Sequence, residues 1–317
     1  LSSLDPQESA NNLDSKEVVL MRINGDDSDF EMFNLPLRMT AGIRTSSLIP
    51  YSNYPSQNLV DAFETVNGYK VTLENTGWVC EDPAFDPQSP YENRDKRFYR
   101  AILANGMSFK DYTIETFKGG ADDGIVSQGG SPTGYFLRKY IQEATSFEPG
   151  KEAVSKHHWV IYRYAETLLT YAESMVNAFN DVNYTDETYK YSALWAINKV
   201  RKNADMPLIP SMGKEDFLER LYNEWRVEFA LEGGKRQWDI RRWGIASEVL
   251  NAPFLGLKYK LVDDPSSPDG QRCILYEGEN IKLTGSRYSD HNYVYPVPQS
   301  EIDLNPALTQ NSGQFPI

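Results

Sequence analysis

A mainly α fold, built from tetratricopeptide-like helical hairpins with large irregular, loop-rich excursions, is predicted by three observations. Residues 156–250 carry apolar side chains at i+3 and i+4 steps through successive amphipathic stretches. Residues 1–155 and 251–317 are interrupted by prolines and glycines too often for long elements. The chain closes on "VYPVPQSEIDLNPALTQNSGQ", residues 294–314, in which Pro296 and Pro298 fix φ and push Tyr295 and Val297 to extended geometry. That segment reads as an extended strap, lying after the helices and able to close over them.

Taken in order, residues 17–23 form a strand ending at the turn signal Asn24-Gly25. A short helix is expected over 57–66, with Ser56 as N-cap and Leu59, Phe63 and Val66 on one face. Ser155 is placed as the cap of a long helix whose stripe runs Trp159, Tyr162, Ala165, Leu169, Ala172, Val176 and Phe179. Thr185 caps a second, with Asp186 and Glu187 in the first turn and Tyr191, Leu194, Ile197 and Val200 on its stripe. A third spans 214–231 with Phe217, Leu221, Trp225 and Glu228 in register, stopped by Gly233-Gly234, and a short fourth covers 238–250. From Asn251 onward loops are expected. Residues 1–317 are read as one domain, incomplete at its N-terminus: a loop-rich ligand-facing region (1–155), a helical-repeat region (156–250), and C-terminal loops with the strap (251–317).

The charge balance is acidic, −13 at pH 7 with a pI near 4.8, so nucleic acid and anionic membrane surfaces are repelled. No apolar run of about 18 residues is present to span a bilayer. Aromatic residues make up 13% of the chain, with 20 Tyr and 6 Trp, a composition suited to sugar or protein surfaces. Cys80 and Cys273 form no CxxC motif.

Charged residues within the helices, Glu166, Glu173, Arg201, Glu224, Arg226, Glu228, Asp239 and Arg242, are read as a structural ion-pair network rather than an acid–base pair. His157-His158 is read as a surface pair at a helix start, with neither HExxH nor a Cys/His cluster to make a metal site. "DDPSSPDG" lacks EF-hand spacing and "GGADDG" lacks the strand–helix context of a phosphate cradle. No catalytic residue, metal or cofactor is assigned. The binding candidates are Tyr51, Asn53, Tyr54 and Trp78, which fall in turn-rich polar stretches; a flat ring takes the apolar face of a sugar while Asn53 or Asn75 takes its hydroxyl rim.

In chain order, "YPSQNLVDAFE" (54–64), "ENRDKRFYRAILANG" (92–106), "TGYFLRKYI" (133–141), "YRYAETLLTYAES" (162–174), "AINKVRKNADMP" (196–207), "NEWRVEFALEGGKRQWDIRRWG" (223–244) and "YPVPQSEIDLNPALTQN" (295–311) together resemble the signatures of the SusD/RagB family of surface nutrient-binding lipoproteins. The resemblance implies a non-enzymatic protein that binds oligosaccharide or polysaccharide at the cell surface and delivers it to a SusC-like, TonB-dependent outer-membrane transporter. It also implies that this chain is the C-terminal larger part of a precursor whose signal, lipid-anchor cysteine and early helical repeats lie before Leu1. The family's ligand contacts fall outside these signatures, so the candidates above rest on chemistry. A peptide-binding member of the family and a secreted glycosidase on a helical scaffold are the alternative readings.

Overall fold

The computed structural model describes residues 16–40, 52–74, 77–123, 130–266, 270–281, 288–311 and 313. Its longer elements, in chain order, are β1 (Val18–Asp27), α1 (Asp29–Asn34), α2 (Gln57–Val60), β2 (Val71–Glu74), β3 (Gly77–Cys80), α3 (Lys96–Ala101), β4 (Ser155–Arg163), α4 (Tyr164–Phe179), α5 (Ala193–Asn203), α6 (Lys214–Glu228), α7 (Lys235–Arg242), α8 (Ala246–Asn251), β5 (Phe254–Asp263), β6 (Gln271–Ile281) and α9 (Gln299–Leu304). They fall into two compact units. The first runs to Gly233 and includes Leu255–Ile281; the second comprises Gly234–Phe254 and the chain after Ile281.

The fold is mainly α and tetratricopeptide-like, with α4, α5 and α6 packed on one another through the stripes the sequence shows. Leu169, Ala172 and Val176 of α4, Ile197 and Val200 of α5, and Phe217, Leu221 and Trp225 of α6 are all buried. Two helices start later than expected. Residues 155–163 are strand β4, pairing antiparallel with β1 from Val18 opposite Arg163 to Asp27 opposite Ser155. Their run of aromatic and β-branched side chains favours a pleated surface, and the helical spacing of 162–179 had been extended backwards across it. His157 and His158 are consequently buried in a strand, not exposed at a helix start, and His157 Nε2 lies 2.9 Å from Glu31 Oε2.

α5 begins at Ala193, where Ser192 Oγ accepts from Trp195 N at 3.1 Å. Thr185 caps nothing: Asp186 accepts from the Thr188 and Tyr189 amides and from the Tyr184 hydroxyl, holding 184–189 as a side-chain-closed turn that competes with helix. The expected helix at 57–66 stops at Val60 because Arg94 Nη2 takes the carbonyls of Val60 (2.8 Å) and Phe63 (2.7 Å), which a continuing helix would need. Residues 254–263 and 271–281, read as loop, are the paired strands β5 and β6, and the period-2 series Leu257, Tyr259, Leu261 was the signal for β5. In the second unit α7 and α8 divide the expected fourth helix at Gly244, whose φ of +73° suits glycine. The tail is extended at Val294 and Pro298, then forms α9, and Gln310 closes it by bonding both the amide and carbonyl of Val297 at 2.8 Å.

A buried lattice of charges ties the first unit together. Arg97 on α3 meets Asp95 (2.7 Å), Glu224 (2.6 Å) and Glu228 (2.7 Å). Arg163, at the end of β4, meets Glu228 (2.5 Å), Glu232 (2.9 Å) and Glu17 (3.1 Å), with its guanidinium 4.3 Å over the Phe229 ring. Lys139 holds Glu232 at 2.6 Å, and Arg201 bridges Glu224 (3.0 Å) to Glu64 (2.8 Å). Burial pushes the Glu228 carboxyl up, but Arg163 and Arg97 more than offset it and bring it from 4.5 down to about 2. Removing one partner of such a lattice leaves buried charge uncompensated. Arg97→Ala, which strips three carboxylates of a shared counter-charge, is expected to destabilise the chain by about 3–5 kcal/mol. The check is the midpoint of urea unfolding, which falls while the slope stays constant.

Candidate functional site

Tyr54 and Trp78 belong to different apolar clusters and do not share a surface. Trp78 on β3 is only 9% exposed, within a cluster that includes Val60, Phe63, Val71 and Phe98. Its ring stands edge-on to Tyr91 at 5.9 Å, so it presents no free face. Tyr54 is partly buried against Phe136 (6.0 Å) in the cluster around Leu35, Phe109 and Ile114, its enclosed hydroxyl meeting no hydrogen-bond partner among the described residues. Asn53 is exposed, with its amide and side chain donating to Asn34 Oδ1 at 2.9 and 3.2 Å. Tyr51 and Asn75 lie outside the described residues.

A cleft of about 310 Å³ opens instead in the same loop-rich region, walled by Tyr91, Tyr99, Tyr259 and Met107 and rimmed by Gln88, Glu92 and Asn105. Its outer wall is a series of tight turns: Gln88 N donates to Asp86 Oδ1 at 2.9 Å, Ser89 N to the Asp86 carbonyl, and Glu92 N to the Ser89 carbonyl. Arg94, fully buried, fastens that wall by donating to Pro90 O at 3.0 Å while its other nitrogen holds Val60 and Phe63. The Tyr99 hydroxyl donates to the Tyr91 carbonyl at 2.6 Å. The opposite wall is set by β5, whose Leu257 amide donates to Thr133 O at 2.9 Å. There Gly134, at φ +80°, is required: a Cβ would stand 2.4 Å from the Leu257 carbonyl oxygen.

From the lining residues Tyr259 and Tyr91 a chain of hydroxyls leads into the interior. Tyr259 donates to Tyr91 (2.9 Å), Tyr91 bonds Tyr135 (2.9 Å), Tyr135 donates to Gln57 Oε1 (2.5 Å), and Gln57 Nε2 donates to Asp61 Oδ1 (2.6 Å). Because Tyr135 spends its proton on Gln57, the Tyr91 proton points to Tyr135, and every donor is directed away from the cleft toward the Asp61 carboxylate. Burial holds the Tyr91 and Tyr135 hydroxyls protonated well above the ordinary tyrosine value. Burial also lifts Asp61 from 3.8 to about 6, against the lowering effects of Gln57 and Arg94.

Such a lining offers ring faces, amides, hydroxyl acceptors and a thioether. Among the described lining residues Glu92 is the one carboxylate, whereas glycoside hydrolysis calls for a flanking pair. Sequence reasoning missed the cleft because Tyr259 on one wall is 168 positions from Tyr91 on the other, and periodicity carries no information across such a separation.

The chain belongs to the SusD family, whose model matches residues 16–313. It is similar to the crystal structure of a SusD-like protein from Bacteroides fragilis, 25% identical with a TM-score of 0.68, over 99% of this chain and 58% of that one. A second Bacteroides fragilis structure, described as a SusD-like carbohydrate binding protein, is also 25% identical, with a TM-score of 0.62 over 96% of this chain and 57% of that one. A SusD superfamily structure from Parabacteroides distasonis, 19% identical with a TM-score of 0.50, shares the fold over 98% of this chain and 53% of that one. The chain thus spans somewhat more than half the length of the solved relatives it matches first. No curated protein matches it. Among the described residues, no helix is long and apolar enough to cross a membrane.

The Asp61 shift gives a pH dependence whose sign is fixed. The folded state holds a proton that the unfolded chain has released between pH 3.8 and about 6, so this group's contribution is favourable below pH 4 and is lost as pH rises through 6. Asp61→Asn, which keeps the Oδ1 acceptor, is expected to raise stability at pH 7.5 by on the order of 1 kcal/mol after solvent screening, and to change little at pH 4. Thermal unfolding at the two pH values measures it. Tyr135→Phe, which breaks the chain at its centre, is expected to cost about 1–3 kcal/mol by taking the acceptor from the Tyr91 proton and the donor from Gln57 Oε1.

Proposed function

We propose that this chain captures an oligosaccharide at the cell surface without chemistry and delivers it to a SusC-like, TonB-dependent outer-membrane transporter, the full-length protein being lipid-anchored. The observation that carries the reading is the tyrosine-walled cleft, where rings take the C–H faces of a sugar and Gln88, Asn105 and the Tyr259 hydroxyl stand at its rim. Membership of the SusD family and the likeness to a SusD-like carbohydrate binding protein support it. Trp78 enters indirectly, backing the Tyr91 ring, while Asn53 and Tyr54 form a separate candidate contact. The helical face that exposes the stacked pair Tyr191 and Trp195, 4.1 Å apart, is assigned to the transporter.

Calorimetric titration against a panel of neutral oligosaccharides and of peptides tests the proposal. Saturable sugar binding is expected, weakened at least about tenfold by Met107→Trp, which fills the cleft, and several-fold by Gln88→Ala. Sugar binding that survives Met107→Trp and falls with Tyr54→Ala would move the site to the Asn53–Tyr54 surface. Peptide binding with no response to any sugar would establish the peptide-binding alternative, and release of reducing ends would establish a glycosidase.

A further inference from the structure

In a chain of net charge −13, α7 is a local exception: "KRQWDIRR" places Lys235, Arg236, Arg241 and Arg242 beside a single acid, Asp239, which pairs with Arg242 at 3.1 Å. Arg241 stands inside a ring of aromatics, its guanidinium carbon 5.7 Å from the Trp238 ring, 5.6 Å from Tyr288 and 5.8 Å from Tyr295. Among the described residues its enclosed Nε and Nη1 meet no hydrogen-bond acceptor, and the enclosed Tyr288 hydroxyl meets no partner. A guanidinium with unused donors in an aromatic cage is chemically unfinished, since buried polar groups are normally hydrogen-bonded. The missing element is an acceptor, and a carboxylate fits the planar fork.

The cage is built rather than incidental. Tyr288 is fastened at both its amide and carbonyl by Asn251 (3.0 and 2.7 Å), and the Tyr295 carbonyl accepts from Asn311 Nδ2 at 2.6 Å. The two rings nearest solvent, Trp238 and Tyr295, are 56% and 61% exposed and tilted 52° at 6.3 Å. Being exposed, they can shift to admit a ligand and then cover it, and their faces match the C–H face of a pyranose. We propose that Arg241, Trp238, Tyr288 and Tyr295 form a subsite for an acidic sugar, a uronate residue whose carboxylate is taken by the Arg241 fork while its ring lies on Trp238 or Tyr295. Selectivity comes from using both groups: a bare anion gains nothing from the rings and a neutral sugar nothing from the guanidinium, whereas a uronate uses both. The inference rests on the capture reading for the sugar character of the ligand, and none of its four residues lines the cleft.

The test is titration of the whole chain, by tryptophan fluorescence and calorimetry, with glucuronate and an oligogalacturonide, with glucose and acetate as controls. Saturable uronate binding is expected, with glucose and acetate each at least about tenfold weaker. Arg241→Gln is expected to lose uronate binding about tenfold or more, and Arg241→Lys several-fold, because it keeps the charge but not the fork. Trp238→Ala, which alters an exposed side chain and leaves thermal unfolding in place, is expected to weaken uronate binding several-fold even should the arginine variants fail to fold. Met107→Trp leaves uronate binding intact, so neutral-sugar binding lost there and uronate binding lost at Arg241 report the two sites separately. Equal binding of glucose and glucuronate, uronate binding insensitive to Trp238→Ala, or binding only to phosphatidylglycerol vesicles would overturn the proposal.

Discussion

The buried exchange between arginine and glutamate side chains around Glu228 is the constraint on which the first unit depends. Glu228 is gripped by Arg97 from α3 and by Arg163 from the end of β4, while Arg201 of α5 reaches Glu224 one turn earlier on α6. Helices carry no intrinsic preference for facing strands or loops far away in sequence. These fork-to-carboxylate contacts, each with a required geometry, supply one. Their net energy is small, because removing the charges from water offsets most of the attraction. What they specify is register: β4 meets α4 at Arg163, and α3 is held where its preceding loop must form the wall of the cleft.

The cleft inherits its geometry from that arrangement. Three positions within one turn divide the work: Arg94 fastens the turns over 88–93, Asp95 caps α3 at the Arg97 amide (2.9 Å), and Arg97 anchors the helix to α6. Below it the tyrosine chain places polar atoms in an apolar cluster and satisfies them in series, ending on a carboxylate that burial has pushed toward neutrality.

Much of the architecture was legible in local spacing. The stripes of α4, α5 and α6 follow directly from helical periodicity, whereas α6 ends at Glu228 with Phe229 as its C-cap, short of the stop expected at Gly233-Gly234, and Gly234 instead opens α7. The assignment of Arg201, Glu224 and Glu228 to an ion-pair network was legible too, since carboxylates four apart on one helix share a face. The errors arose where a distant partner decided the local structure. β4 was taken for helix because its partner β1 lies over a hundred positions upstream. The helix after Ser56 was cut short by Arg94, and Trp78 was taken for a surface ring because nothing nearby in sequence announces its partner Tyr91. The cleft itself was invisible for the same reason: its walls come from residues 88–107 and from Tyr259 on β5.

The central claim, that one charge lattice organises α3, β4 and α6 together, is most directly tested by pulsed hydrogen exchange across an acid titration. Glu228 carries a folded-state pKa of about 2 against 4.5 unfolded, so its contribution is complete above pH 4.5 and is lost as pH falls toward 2. The amides of α3, β4 and α6 should lose protection in one cooperative step within that window. Protection that persists unchanged to pH 2, or that disappears segment by segment at separate pH values, would contradict the account.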